Sequence, residues 1–420
     1  MCIRDRLSAE FDVNMTVIYA ITKFFIFVGS AAAVASVWYV ASRAYGQRTA
    51  YWDAMVLTSL ALFGSLQIHA IWSNDPVASY PLAGYAPTAL GFSVLTLAIV
   101  AAKRVSWWWY CCGAVMSMLA VGYYEINIGA VLGAAIILVA GIWTGRGDRR
   151  NTLRAIVGGA LFVALPAALV LFGRTVTVGN SASYGGTEVT LDKAARTFER
   201  GVLGSIPGAA WRLSERSGGG QVGLLSVAFA LAAVIALSIR FWLGRAQREA
   251  FIRPSTNKRL GLAAATVAVM TYALFAVALQ AITSKVQNEM LGVGYVYTFY
   301  AMTSSAVALG VAVAVNAVVA EKRFRSWRSV VLLLAAAFML TQFTVNWRLT
   351  TSMNESYVRN RTLIASFDRD ADMPTRCRSL QQWTGIPWPG YYEKGMTDGL
   401  QAAYQYYFGE PFCAGFVSKG

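Results

Sequence analysis

The chain has 420 residues, of which 56% are hydrophobic and 14% are charged, and it carries a formal net charge of +15. This apolar fraction exceeds what one soluble core could bury, so the composition excludes a soluble globular protein and indicates an integral membrane protein. Basic loops on one side of a membrane account for the positive charge, and a nucleic-acid partner is not needed to explain it.

The first 14 residues contain no apolar core of the kind that a signal peptide has. The opening letters, MCIRDR, resemble translated sequencing-adaptor sequence. We therefore interpret residues 1–14 as non-native or as the remnant of an outer loop, and expect the native chain to begin upstream. The alternative is a genuine start, in which a short tail is translocated ahead of the first helix.

Long apolar runs then predict about ten transmembrane helices, because a helix of roughly 20 apolar residues crosses a bilayer. They fall near residues 15–42, 54–72, 84–102, 107–122, 127–143, 153–172, 222–243, 260–283, 297–320 and 330–347. The helices in residues 15–173 and 222–347 flank an outer segment, residues 174–221, with an amphipathic stretch. Residues 348–420 follow the last span. The predicted fold class is all-α and polytopic, with a small extracytoplasmic C-terminal domain.

Every second connection between these spans is rich in Lys and Arg, namely residues 43–48, 103–104, 146–154, 240–259 and 322–328. Since basic loops are retained on the cytoplasmic side, the remaining connections are expected outside. The outer side then holds both chain termini, residues 73–83, the turn at Glu125, residues 174–221 and residues 284–296. This topology predicts a multi-pass protein of the bacterial plasma membrane whose C-terminus is extracytoplasmic.

Two of the five cysteines, Cys377 and Cys413, fall in the polar C-terminal segment. Disulfides persist outside the cell, and closing this loop would stabilise a small domain by about 4 kcal/mol in the chain-entropy model. We therefore predict a bond between Cys377 and Cys413. Cys111 and Cys112 lie in an apolar helix, where free cysteines act as small hydrophobic side chains.

Two carboxylates stand at predicted outer turns. Glu125, in YYEIN, separates two spans at a place where the interface can hydrate it. Asp75, in SNDPVASY, precedes a proline, which is a common start of a turn. Each is either a hydrated turn residue or a functional carboxylate facing an outer cavity. His69, the only histidine, lacks partners at zinc-ligand spacing and is interpreted as an interfacial residue within reach of a substrate.

The predicted outer loop that begins ITSKVQNEM gathers Lys285 and Glu289 with neighbouring amides. These residue types indicate a pocket for a phosphate and a sugar, and the alternative is a solvated connection. The acidic run SFDRDADMP is not a calcium loop, because Met373 and Ser379 stand where Gly and Glu are needed. No metal site is predicted. The inner loops contain no nucleotide-binding motif, so we expect any chemistry on the outer side.

The order of these elements resembles an N-terminally truncated member of the GT-C family of membrane glycosyltransferases. The similarity is mainly topological and includes the outer loops SNDPVASY and YYEIN, a long outer segment, and an outer C-terminal domain as in actinobacterial cell-wall enzymes. It implies a polyprenyl-phosphate sugar donor and an acidic residue that deprotonates the acceptor hydroxyl. That main base would lie in the missing upstream loop, of which Glu10 and Asp12 would be the tail.

The same resemblance implies roles for later residues. Asp75 and Glu125 occupy positions at which such enzymes use acids to hold an acceptor or, in some members, a divalent cation. Arg174 and Lys285 are candidates for the donor phosphate. The expected function is sugar transfer from a polyprenyl-phosphate donor to a glycan or lipid of the cell envelope. Two alternatives stay open: a transporter or lipid flippase for envelope precursors, and a non-catalytic glycan-binding assembly protein.

Overall fold

A computed structural model describes the chain in a set of separate ranges. They are residues 15–45, 51–65, 82, 84–144, 149–177, 190–209, 256–289, 299–320, 330, 334, 337–342, 344–346, 365, 368, 370–384, 405, 408 and 409. Within these ranges the chain is helical with short turns, and none of these residues lies in a β-strand. The predicted all-α class is confirmed for this part of the chain.

The described ranges contain eleven α-helices with defined bounds. They are α1 (Met15–Ala44), α2 (Tyr51–Ser65), α3 (Tyr85–Arg104), α4 (Trp107–Tyr123), α5 (Ile128–Thr144), α6 (Arg149–Thr177), α7 (Leu191–Gly204), α8 (Thr256–Ala281), α9 (Ser284–Glu289), α10 (Tyr300–Ala320) and α11 (Met373–Thr384). The chain divides into two compact units, residues 24–349 and residues 1–23 together with 350–420. The larger unit contains the helix bundle and every residue of the candidate site.

Five helices in the described ranges are long and apolar enough to cross a membrane. They are Ile21–Ala44, Tyr85–Arg104, Glu125–Thr144, Arg150–Leu169 and Arg259–Ala281, and a shorter apolar helix covers Tyr300–Asn316. Because a membrane span needs about 20 apolar residues, this number supports a membrane protein. The full set of about ten spans stays a prediction, and the span near residues 222–243 lies outside the described residues.

The core of the larger unit is built from α3, α4, α5, α6 and α8. Helix α5 packs against α3 and α8, while α4 packs against α3 and α6. Two glycines on α5 let it approach α8 closely. A Cβ atom at Gly129 would lie 3.2 Å from the Tyr272 carbonyl oxygen, and one at Gly133 would lie 2.7 Å from the Ala268 carbonyl oxygen. Such small residues allow the close contact on which helix association in a bilayer depends.

One end of the bundle carries basic residues in the last turns of two helices, Arg43 of α1 and Lys103 and Arg104 of α3. Here the Lys103 Nζ atom lies 4.6 Å from the centre of the Tyr45 ring, and Gly261 makes room for the same ring. The Arg104 guanidinium lies 5.5 Å from the centre of the Trp109 ring. We call this the basic end. It also carries exposed tryptophans, as membrane interfaces do: Trp52, Trp107, Trp108 and Trp143.

The opposite end, which we call the polar end, carries the described parts of several connections within the larger unit that are predicted to lie outside. Gly261, near the start of α8, lies at the basic end beside Tyr45, so the last residue of α8, Ala281, lies at the polar end. The turn after α4, helices α7 and α9, and the start of α10 all contact this part of α8. Within the larger unit, the described parts of the predicted inner and outer segments thus lie at opposite ends of one bundle. Assigning the basic end to the cytoplasm rests on the charge rule.

In the smaller unit, Asp372 caps the N-terminus of α11. Hydrogen bonds from the Thr375 side chain and from its backbone N–H, at 3.1 Å, lower the pKa of the Asp372 carboxyl. Cys377, on the same helix, is disulfide-bonded, whereas Cys111 and Cys112 are free. Cys413 lies outside the described residues. The pairing with Cys413 and the extracytoplasmic C-terminal domain therefore stay predictions.

Candidate functional site

The first component of the site is the turn between α4 and α5. Residues Glu125–Asn127 form a single 3₁₀ turn, which follows Tyr124 in an extended conformation (φ −156°, ψ 117°). The Glu125 side chain is exposed, whereas Asn127 is fully buried. The carboxylate therefore stands at the polar end of the bundle, where water can solvate it. It avoids the cost of a charge at the bilayer centre.

A buried hydrogen-bond network holds this turn from the protein side. The Asn127 amide nitrogen donates to the Ala120 carbonyl of α4 at 2.9 Å. The Tyr272 hydroxyl of α8 donates to the Asn127 amide oxygen at 2.8 Å and lies 3.3 Å from the Pro87 carbonyl of α3. The Asn127 amide and the Tyr272 hydroxyl thus link α3, α4 and α8. Such pairing matters because an unpaired buried polar group costs about 1–3 kcal/mol.

The two tyrosines before Glu125 connect the turn to other segments of the polar end. The Gln280 amide nitrogen, near the end of α8, donates to the Tyr124 hydroxyl at 3.2 Å. The Tyr123 hydroxyl donates to the Leu82 carbonyl at 2.8 Å. Leu82 belongs to the predicted outer loop of residues 73–83 that contains Asp75. The turn at Glu125 is therefore tied both to α8 and to the end of that loop.

The second component is α7, the amphipathic helix of the predicted outer segment. Gly201 brings it close to the bundle, since a Cβ atom there would lie 2.6 Å from Val277 Cγ1 and 3.2 Å from the Phe299 ring. Just after the helix, the Ser205 hydroxyl donates to the Thr303 hydroxyl of α10 at 2.7 Å, and both side chains are buried. These contacts fix α7 on the last turns of α8 and the first turn of α10.

Between α7 and α9 lies a cavity of about 370 Å³. Its lining combines charged side chains with hydroxyls and amides: Thr190, Asp192, Lys193, Arg196, Thr197, Arg200, Gln287 and Asn288. Thr197 and Gln287 form its buried side, while Lys193 and Arg196 are exposed. The cavity is thus open to solvent, with donors converging on it from two helices.

The charge of this cavity is positive. Lys193, Arg196 and Arg200 line it together with one carboxylate, Asp192, which forms an ion pair with Arg196 across one turn of α7. The formal balance of these side chains is +2. Guanidinium and ammonium groups with amide donors are the groups that bind phosphate most strongly in proteins. The arrangement is therefore suited to a phosphate-bearing ligand, because its net positive charge attracts the one negative charge of a phosphodiester or the nearly two of a monoester.

The structure places some of the predicted substrate-binding residues at this end of the bundle. Lys285 and Glu289 lie on α9, the helix that contributes Gln287 and Asn288 to the cavity. Arg174 lies in the last turn of α6, which runs towards the polar end because Leu169 approaches Gly122 near the end of α4. The side chains of these three predicted residues lie outside the description. Their assignment to a donor phosphate stays a prediction.

Other predicted residues fall outside the described ranges altogether. They are Asp75, His69, Asp12 and Glu10. In the described ranges no group of three or more His, Cys, Asp or Glu side chains converges on a common point. The arrangement there consists of one exposed carboxylate on a fixed turn and one basic cavity, held by the same helix, α8.

The cations of the cavity were missed at the sequence level. Lys193, Arg196 and Arg200 repeat at intervals of three and four residues, which places them on one face of a helix. This face is the signal that could have identified them. An amphipathic stretch is predicted within residues 174–221. A charged helix face usually contacts solvent, however, and the sequence does not show that α9 lies beside it.

No protein-family model, curated protein or solved structure matches this chain.

Proposed function

We propose that the protein is a membrane glycosyltransferase that uses a polyprenyl-phosphate sugar as donor. The transfer takes place at the polar end of the bundle, which the charge rule assigns to the outer side of a bacterial plasma membrane. The acceptor is a glycan or lipid of the cell envelope. A donor that arrives already attached to lipid needs no nucleotide-binding motif, which agrees with the short basic connections at the other end.

One observation carries this proposal. A basic cavity of about 370 Å³ and an exposed carboxylate, Glu125, lie at the same end of a bundle of membrane-spanning helices. A transferase that cleaves a sugar–phosphate bond needs both kinds of group, because one must stabilise the leaving phosphate and the other must accept a proton. A basic cavity without a further carboxylate that can act as the base would support binding or transport equally well.

The two components divide the proposed reaction between them. Glu125 accepts the proton of the acceptor hydroxyl while the hydroxyl oxygen bonds to the anomeric carbon. The bond between the anomeric carbon and the phosphate oxygen breaks, and its electron pair leaves with the polyprenyl phosphate. The cations of α7 stabilise that negative charge, and attack from the opposite face inverts the anomeric carbon. Of the two carboxylates predicted to be functional at outer turns, Asp75 and Glu125, Glu125 is the one within the described residues. We assign to it the proton-accepting role that the family resemblance places in an upstream loop.

The direct test offers lipid-linked sugars to the purified full-length protein in proteoliposomes. A panel of polyprenyl-phosphate pentoses and hexoses, each with a radiolabelled sugar, is supplied with an envelope glycan extract as acceptor. Appearance of label in the acceptor supports the transferase. Movement of the donor between leaflets without transfer would indicate a flippase, and saturable binding without either would indicate a glycan-assembly protein. Each of those two results would overturn the proposal.

Charge removal in the cavity tests its assigned role. Arg196→Gln and Lys193→Gln should raise the KM for the donor by roughly tenfold each, because a hydrogen bond to a charged group contributes about 1.5–3 kcal/mol. The matched control is Arg259→Gln, which removes an exposed arginine from the start of α8 at the basic end. An equal rise in KM for the control would show that the effect is one of overall charge.

A further inference from the structure

Helix α8 contacts both components of the site, and it does so through its C-terminal half. Tyr272 and Gln280 contact the turn that carries Glu125. Val277, between them in sequence, packs against Gly201 of α7. Tyr272 and Gln280 are eight residues apart, which corresponds to about 12 Å along a helix. The turn that carries the Glu125 carboxylate and the helix that carries the cavity cations therefore both pack on α8.

The attachment at Tyr272 is fully buried. Both Tyr272 and Asn127 have no solvent exposure, and the tyrosine ring packs edge-to-face on Phe92 at 5.5 Å between centroids. Gly91, which directly precedes Phe92 on α3, leaves the space that the tyrosine hydroxyl occupies, because a Cβ atom there would overlap it. The sequence thus places a glycine where the hydroxyl needs room to reach the Asn127 amide.

The cavity side of α8 is fixed in a similar way. The Gln287 amide nitrogen of α9 donates to the Ala281 carbonyl, the last residue of α8, at 2.9 Å. The backbone N–H of Gln287 donates to the Thr283 carbonyl at 3.1 Å. Gln287 lines the cavity. The position of the cavity wall is therefore set by the end of the helix that also holds the Glu125 turn.

A buried tyrosine–asparagine pair is a costly way to join two apolar helices. Hydrogen bonds between membrane helices stabilise only weakly on average, while an apolar pair of similar shape carries no risk of an unpaired group. What such a pair provides is a single defined geometry, since a hydroxyl must meet an amide oxygen at one distance and angle. A turn whose carboxylate must stay at a set distance from a bound phosphate benefits from that definition.

We infer that Tyr272 and Gln280 are positioning residues for the proposed transfer: from one helix, α8, they fix the Glu125 turn at a set distance from the basic cavity. This inference rests on the proposed function. Neither side chain touches the donor or acceptor, and both act through the turn that they hold. Tyr272 fixes the buried side of the turn through Asn127, and Gln280 fixes its solvent side through Tyr124.

The test compares Tyr272→Phe, which removes one hydroxyl, with Tyr110→Phe as a matched control. Tyr110 is also buried, lies near the basic end on α4, and its hydroxyl makes no hydrogen bond to any described residue. We expect Tyr272→Phe to lower kcat by about tenfold or more at an unchanged donor KM, because small displacements of a reacting group are costly. The control should leave both constants unchanged. A wild-type kcat per folded molecule in Tyr272→Phe would overturn the inference.

A second measurement does not depend on activity. Spin labels are attached to cysteines introduced at positions 125 and 193, after the free cysteines have been replaced by alanine. The expected distance distribution is narrow in this background and in Tyr110→Phe, and broad or shifted in Tyr272→Phe. Gln280→Met, similar in size but without the amide, should broaden it as well, and it serves if Tyr272→Phe does not fold. An unchanged distribution in both Tyr272→Phe and Gln280→Met would overturn the inference.

The two proposals can fail separately. If the protein without spin labels transfers no sugar, the proposed function is wrong, and a broadened distribution would still show that α8 sets the distance between turn and cavity. If transfer is observed but Tyr272→Phe and Gln280→Met retain the wild-type kcat, the proposed function holds and the positioning role is wrong. A loss of stability with unchanged kcat would assign both residues to packing alone.

Discussion

The two ends of the helix bundle differ in the side-chain interactions that they contain. At the basic end, cations lie over aromatic rings, as Lys103 does over Tyr45 and Arg104 over Trp109. At the polar end, neutral side chains form long-range hydrogen bonds, as between Tyr272 and Asn127 or Ser205 and Thr303. The described residues around the 370 Å³ cavity also belong to the polar end.

This difference indicates that the two ends of the bundle have different roles. Cations over ring faces tolerate variation in angle and distance, so the basic end can fulfil a topological role without a fixed geometry. Buried hydroxyl–amide bonds tolerate little variation, and a network of them defines one arrangement. A bundle that fixes one end this strictly is expected to carry its function there. Substitutions at the polar end should therefore affect transfer, and matched substitutions at the basic end serve as controls.

The largest effect on stability is expected from filling the space beside a tyrosine. At either end a Cβ atom would overlap the ring, Tyr272 for Gly91→Ala and Tyr45 for Gly261→Ala. Each change should lower the free energy of unfolding by about 1–3 kcal/mol, because overpacking forces side chains and backbone to shift. Thermal unfolding in detergent measures this loss. Transfer per folded molecule should fall only for Gly91→Ala, and an equal fall in both variants would contradict the division between the ends.

A smaller effect is expected from removing the hydrogen bond between Ser205, just after α7, and Thr303 of α10. Ser205→Ala removes the bond to Thr303 and leaves a buried hydroxyl with one partner fewer, which should cost about 1 kcal/mol. Because this bond fixes the helix that carries the cavity cations, donor KM should rise while kcat changes little. The measurement is a donor titration at saturating acceptor. A fall in kcat at constant KM would show that α7 acts on the chemical step.

The smallest effect is expected at the basic end. Lys103→Gln removes the cation over the Tyr45 ring, a contact that contributes about 0.5–1 kcal/mol at exposed sites. Unfolding should shift by no more than this amount, and both transfer constants should stay at their wild-type values. Steady-state kinetics in proteoliposomes of equal protein content would check it. A change of more than threefold in either constant would extend the functional region to this end.

Much of the fold follows from the sequence, because apolar runs and basic connections are local signals. The stretch around Glu125 shows this: two apolar runs separated by YYEIN predict a turn between two spans, and the structure has a 3₁₀ turn between α4 and α5. The predicted spans near residues 84–102 and 107–122 correspond closely to Tyr85–Arg104 and Trp107–Tyr123. Such helix bounds depend on apolar periodicity and run length, which can be read from a short stretch of sequence.

A phosphate and sugar pocket was predicted at the loop that contains Gln287 and Asn288, and both line the cavity. The α7 side of the cavity and the hydrogen-bond network were not predicted, since both depend on contacts between distant parts of the chain. Tyr272 and Asn127 are 145 residues apart, and Ser205 and Thr303 are 98 apart. Lys193 and Asn288 line one cavity only because Gly201 lets α7 approach α8. Nothing in the local pattern near Tyr272 distinguishes it from an apolar core residue. The site therefore becomes visible only when the helices are placed together.

The measurement that tests the central claim most directly is sugar transfer by Glu125→Gln. This change keeps the size and hydrogen-bonding capacity of the side chain but removes the carboxylate that accepts the proton. The account predicts normal insertion and folding with a kcat lowered by about 10² to 10⁴-fold. A correctly inserted, full-length Glu125→Gln protein with wild-type transfer would contradict it, and would show Glu125 to be a hydrated turn residue at the polar end.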